Sequence, residues 1–406
     1  MSARSRVALL AAALCAALAA PSAAAAERVV SVPVSFEVAN VNGSRLACPS
    51  DGAKYTLRGR LIGPEGTLAR GRGLATTLYL HEYSFGKFFW NLTQIPAFDY
   101  ATQQAEQGHV SVVVDRLGYD DSDHPEGTMT CLGAHADMAR QIVAQLRSGE
   151  YGGEQSPAFD KVVLAGHSVG AAAAELAAYS FADMKIDGLV IFAWADSGFS
   201  QRTVEQSFAQ GGVCTTGGEQ HEDGKASGYA YYGQTEEDFQ KNVFNSAPPD
   251  VVALVTSMRN RDPCGDAASL TPATGVNSMH NGEIAVPILL LFGEKDSVFQ
   301  PGAGETQRDS YTSSPEVTYQ AFADAGHALV FESAAPQVRE KVDAWLDSHG
   351  FVSAGAAVED KPGAGPPSGQ PNKPKPRPRK RSKRRRGGRY AAAARINYVR
   401  RPPRRR

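Results

Sequence analysis

Apolar and polar positions alternate over residues 29–41 and again over 54–62, the period-two pattern of strands with one face covered. Beyond residue 70 the alternation gives way to short strand-like runs at 75–80, 110–114, 162–165, 189–193, 287–292 and 317–322, several of them apolar throughout. Stretches at helical spacing lie between them. Residues 134–146 put Met138, Ile142, Val143 and Leu146 on one side, 171–181 are alanine-rich, and 332–348 align Val338, Val342, Trp345 and Leu346. Doubly buried strands alternating with helices predict an α/β fold with a mostly parallel central sheet flanked by helices. The rhythm fails once, between Ala195 and Pro287. A structureless loop of that length is improbable in a compact domain. Residues 197–285 are therefore expected to be a lid insertion after the sixth strand. Its Tyr229, Tyr231 and Tyr232 either face the ligand edge of the sheet or form the lid's own core.

The two ends change the picture. Arg4 and Arg6 precede an apolar run over 7–20 and a small-residue site at Ala24, Ala25 and Ala26. Residues 1–26 read as a secretory signal, too short in its apolar part for a span of roughly 20 residues. Processed, the protein is expected to be secreted and not transmembrane. At the other end, residues 361–406 carry 18 Lys and Arg and no Asp or Glu, so the net charge of -1 hides an acidic body with a basic tail. Residues 351–406 read as a disordered tail rich in Pro, Arg and Lys. Such an arm suits an anionic surface or polymer, not a specific nucleic-acid site. The core is then expected in two parts, 27–196 and 286–350. Export leaves Cys48, Cys131, Cys214 and Cys264, an even number that suggests two disulfides. Of the three connectivities, Cys48–Cys131 and Cys214–Cys264 are preferred because each joins neighbouring segments.

Candidate chemistry begins at Gly166-His167-Ser168-Val169-Gly170, between an apolar strand and an alanine-rich helix. A sharp strand-to-helix turn there strains the central residue and lifts its hydroxyl clear of the sheet. A serine needs a base, and the base an orienting carboxylate. Asp296 follows the 287–292 strand, His327 follows the last strand, and both fall on the edge that carries Ser168. Asp196, after the 189–193 strand, is a second candidate for the acid. His280 is a candidate substrate contact, and Glu294 is expected in solvent. No glycine loop has phosphate-binding form and no cluster has catalytic-zinc spacing, so no cofactor and no metal are expected.

The order Ser168, Asp296, His327, each after a strand, resembles the α/β-hydrolase superfamily, in its serine-nucleophile form with an inserted lid. The resemblance covers residues 30–350. It implies Ser168 as nucleophile, His327 as general base and then acid, and Asp296 as its orienter. It also implies an oxyanion hole from the backbone N–H groups of Val169 and Tyr83, and a His167 that faces away from the reacting centre. Relatives carry His-Gly at the turn after the third strand, where this chain has His81-Glu82. A carboxylate pointing inward there would slow acyl transfer or favour a cationic substrate. The reading is a secreted esterase acting on a small-molecule ester-like substrate. The alternatives are an amide, peptide N-terminal or thioester hydrolase of the same fold, or a catalytically impaired polyanion-binding protein.

Overall fold

The two alternating segments at the start of the chain pair with each other as β1 (Val29–Ala39) and β2 (Lys54–Pro64), antiparallel over their whole length. The computed structural model describes residues 27–353; the expected signal and nearly all of the expected tail lie outside them. After β2 come α1 (Glu65–Ala69), β3 (Ala75–Leu80), α2 (Tyr100–Glu106), β4 (Ser111–Val114), α3 (Leu132–Ser148) and a two-residue strand, β5 (Gly152–Gly153). Then follow β6 (Lys161–His167), α4 (Val169–Ser180) and β7 (Gly188–Phe192). The sheet runs β11-β10-β7-β6-β3-β4-β2-β1-β5. Pairing is parallel from β11 (Val317–Phe322) and β10 (Ile288–Gly293) through β7, β6 and β3 to β4, and antiparallel from β2 outward.

Period two sorts the apolar runs onto two faces. Leu78, Val112, Leu164 and Leu290 join one core, with Met138, Ile142 and Leu146 of α3 and Leu176 of α4. Tyr79, Val113, Val163, Leu289 and Leu291 join the other, with Ala101 and Ala105 of α2 and Val338, Val342 and Leu346 of α10 (Ala335–Ser348). Both faces are thereby covered, which is why these strands read as apolar throughout.

Leaving aside β5, β7 is the sixth strand, and the insertion follows it. It contains α5 (Gln201–Thr215), β8 (Tyr229–Ala230), α6 (Glu236–Val243), α7 (Pro249–Ser257), β9 (Asp262–Pro263) and α8 (Cys264–His280), with β8 and β9 pairing antiparallel. A further helix, α9 (Ala303–Ser310), comes after β10. Cys214 in α5 is bonded to Cys264 at the start of α8, and Cys48 to Cys131, the N-cap of α3. A buried polar network fastens the insertion to the core. Arg116 pairs with Asp266 at 3.0 Å, His135 with the same carboxylate at 2.9 Å, and Asp262 accepts from the Tyr119 hydroxyl and the Ser84 N–H. The chain past α10 stays on the core for a few residues. Phe351 packs against Trp345, and Ser353 is buried against Ala75, so these residues, expected in the tail, belong to the body.

Candidate active site

The turn between β6 and α4 is built as its small residues require. Ser168 has φ 50° and ψ −119°, a conformation costly for a residue with a Cβ. A Cβ on Gly166 would lie 2.4 Å from the Gly170 carbonyl oxygen, and one on Gly170 2.5 Å from those of Leu80 and His81. Only glycine at both positions lets the helix start this close to the sheet.

The ends of four strands meet at this edge. Ser168 follows β6, Asp296 follows β10, His327 follows β11, and the His81-Glu82-Tyr83 turn follows β3. His327 Nδ1 donates to Asp296 Oδ2 at 2.8 Å, while Asp296 Oδ1 accepts from the Val298 N–H at 2.8 Å, which fixes the carboxylate. Asp196 is elsewhere. It accepts from Trp194 Nε1, Asn281 Nδ2 and Gln307 Nε2, and burial pushes its carboxyl up to about 6. His280 is bound to Glu283 and Arg45 and does not line the Ser168 cavity, and Glu294 is exposed. Ser168, Val169, Tyr83 and His327 line one cavity with Trp194, Phe199 and Tyr232. Neither the Val169 nor the Tyr83 N–H is taken by another acceptor among the described residues.

Glu82 is the residue whose placement sequence reasoning left open. It is 5% exposed and points inward, with Oε2 3.4 Å from His327 Nε2 and Oε1 3.1 Å from His167 Nδ1. His167, expected to face away, is in contact with the site. Its Nε2 donates to the His327 carbonyl at 2.8 Å, and the two rings lie 4.8 Å apart. His81 holds the turn, with Nδ1 donating to the Glu82 carbonyl and Nε2 accepting from the Arg116 N–H. His327 thus sits between two carboxylates, hydrogen-bonded to Asp296 through Nδ1 and near Glu82 at Nε2, where the 3.4 Å contact is not a hydrogen bond. Burial lowers its pKa, but Asp296 and Glu82 outweigh that and raise it to about 10. Burial raises Glu82, but His167 and His327 outweigh it and hold the carboxyl at about 2. The Glu82, His167 and His327 donor atoms lie within 4.8 Å of one another, a grouping invisible in the sequence spacing.

The cavity is small, about 30 Å³, space for a few water centres at about 10–15 Å³ each. Ligand sites usually offer roughly 300–1,000 Å³. Beside it, sharing Phe199, Thr203, Ser207 and Leu270, is a groove of about 390 Å³ between α5 and α8. Val204 and Phe208 of α5 also line it, and Phe208 is 77% exposed.

The family model described as the alpha/beta hydrolase family matches residues 81–341, a span holding Ser168, Asp296, His327 and the His81-Glu82-Tyr83 turn. The chain belongs to the α/β-hydrolase family. Among solved structures it is similar to an esterase from Thermogutta terrifontis, with a TM-score of 0.54 at 18% identity, covering 77% of this chain and 98% of that one. A soluble variant of the monoglyceride lipase of Saccharomyces cerevisiae matches with a TM-score of 0.54 at 11% identity, over 75% of this chain and 95% of its own. An esterase from Exiguobacterium antarcticum gives 0.50 at 16%, over 73% and 95%. At these identities the likeness is one of fold. No curated protein matches the chain.

Proposed function

We propose that the protein is a secreted serine hydrolase of carboxylic esters, acting through an acyl-enzyme. The observation that carries this reading is the 2.8 Å contact between His327 and Asp296 in a site where His327 shares a cavity with Ser168 on its strained turn. Ser168 Oγ attacks the ester carbon as its proton passes to His327 Nε2. The Val169 and Tyr83 N–H groups hold the oxyanion. Collapse expels the alcohol, which takes the proton from His327, and a water repeats the cycle on the acyl-enzyme. Asp296 orients the imidazole and offsets its transient charge. The apolar walls of the α5–α8 groove favour an acyl chain as the group seated there, with the insertion acting as a lid.

Export is favoured by the signal-like start and by the two disulfides. Among the described residues no helix is long and apolar enough to cross a membrane. A second reading, a binding protein with impaired catalysis, draws on Glu82, whose carboxylate occupies the side of His327 that the serine proton must reach. A fluorophosphonate probe separates the two. Labelling lost in Ser168→Ala, with turnover of p-nitrophenyl esters, supports the enzyme; no labelling of the wild type overturns it. Aminoacyl anilides and thioesters run beside the esters decide the bond cleaved.

A further inference from the structure

The richest cluster of ligating side chains outside the Ser168 cavity joins the core to the insertion. His124 lies on the loop between β4 and α3, and His221 and Asp223 lie on the turn between α5 and β8. His124 Nδ1 is 3.0 Å from Asp223 Oδ2, and His221 Nδ1 is 3.1 Å from Asp223 Oδ1. The imidazoles stack with centroids 3.6 Å apart. Each residue supplies one donor atom, and the three lie within 4.8 Å of one another.

We propose that His124, His221 and Asp223 bind a divalent transition-metal ion of the zinc class, which clasps the insertion to the core. Two features argue for an ion rather than a purely ionic contact. His221 is 6% exposed, and both Nε2 atoms are buried with no hydrogen-bond partner among the described residues. His221 Nδ1 accepts the Asp223 N–H at 3.2 Å, so it faces the Asp223 carboxylate oxygen 3.1 Å away as one lone pair against another, with no proton between them. Protonating both rings instead would stack two cations face to face. A metal ion uses such lone pairs, and a carboxylate beside ligating histidines is a usual companion, as ligand or as outer partner. Two nitrogens and one carboxylate favour zinc, cobalt or nickel over calcium or magnesium. Glu222 Oε2 lies 3.4 Å from His221 Nε2, the ring's other nitrogen, without forming a hydrogen bond. The cluster lines an open pocket of about 790 Å³, which gives an ion a path in. That pocket shares no lining residue with the Ser168 cavity, so the ion's role is structural.

The test uses the full chain, stripped with EDTA and titrated with Co²⁺ and then Zn²⁺. Binding of one ion per chain is expected, with visible absorption from nitrogen-ligated cobalt, displacement by Zn²⁺ and none by Ca²⁺ or Mg²⁺. His124→Gln, His221→Ala and Asp223→Asn should each weaken binding by at least about tenfold. Zn²⁺ should raise the Tm of the wild type but not of the His124→Gln or His221→Ala variant. Asp223→Asn, nearly isosteric, keeps the test usable if a histidine variant does not fold. No cobalt spectrum and no Zn²⁺ affinity in the wild type would overturn the proposal. So would binding that persists in all three variants and is lost in Glu82→Gln, since the ion would then belong to the Glu82–His167–His327 group.

Discussion

At the scale of single residues, Asp296 and Glu82 both favour the protonated form of one imidazole, from its two different ring nitrogens. If Asp296 orients His327, Asp296→Asn should cost on the order of 10⁴-fold in kcat. Asp196→Asn, whose carboxylate is tied to Trp194, Asn281 and Gln307, should leave the chemistry intact. The reverse result in steady-state assays would reassign the acid. Glu82 stabilises the protonated ring, and a general base must be unprotonated. The titratable groups that meet His327 are Asp296, Glu82 and His167. Removing one of the two carboxylates lowers the imidazole pKa, so Glu82→Gln should shift the acid limb of the kcat/KM profile to lower pH by roughly one to three units. An unshifted limb would show that Glu82 does not bear on the base. The positions of Ser168, Asp296 and His327 were legible in the sequence because each follows a strand-like run, apolar throughout before Ser168 and Asp296 and mixed before His327. Glu82 was visible only as a departure from the usual glycine. Its inward direction depends on His167 and His327, contacts that no local pattern encodes. His124, His221 and Asp223 escaped for the same reason, being spread over a loop and an insertion.

Among the elements, the central strands and α3, α4 and α10 follow from their apolar periodicity, whereas the insertion could be recognised only as a gap. The reason is visible in its helices. α5 contains Gly211 and Gly212 and buries only Thr203 and Gln210, and α8 carries Gly265, Pro272 and Gly275. Helices with so little apolar stripe leave weak marks, and these two are joined by Cys214–Cys264 across 50 residues. In chain-entropy terms closing such a loop is worth about 4 kcal/mol. Cys214→Ala/Cys264→Ala should therefore lower Tm, and a non-reduced digest of the wild type should contain both linked peptide pairs. Free thiols in the unreduced protein would contradict this. On α5, Phe208→Ser should raise KM for long-chain esters while leaving acetate esters nearly unchanged, if the groove receives the acyl chain. Equal effects on both would remove the groove from substrate binding.

For the whole molecule, the asymmetry of charge sets the expectation. Residues 1–360 hold 24 Lys and Arg against 43 Asp and Glu, and the remainder holds 18 cations and no acid. Because Phe351 and Ser353 pack on the body, a clean truncation falls after Ser353. It should leave Tm and ester hydrolysis unchanged and abolish retention on heparin at low salt. Equal retention of the two forms would show that the tail is not the anchor.

The imidazole held between two carboxylates also links folding to protons. The His327 pKa is raised from 6.5 to about 10, so the stability it contributes is complete below pH 6.5 and is lost as pH rises toward 10. The Glu82 pKa is lowered from 4.5 to about 2, so its contribution is complete above pH 4.5 and is lost as pH falls toward 2. Together they favour the native state most between about pH 4.5 and 6.5. In the proposed mechanism the base works only after its proton has left, over the very range in which His327's contribution to stability declines. These two groups should therefore protect the native state most in mildly acidic surroundings, where a His327 base would be slow, and least in the alkaline range where it would be fastest.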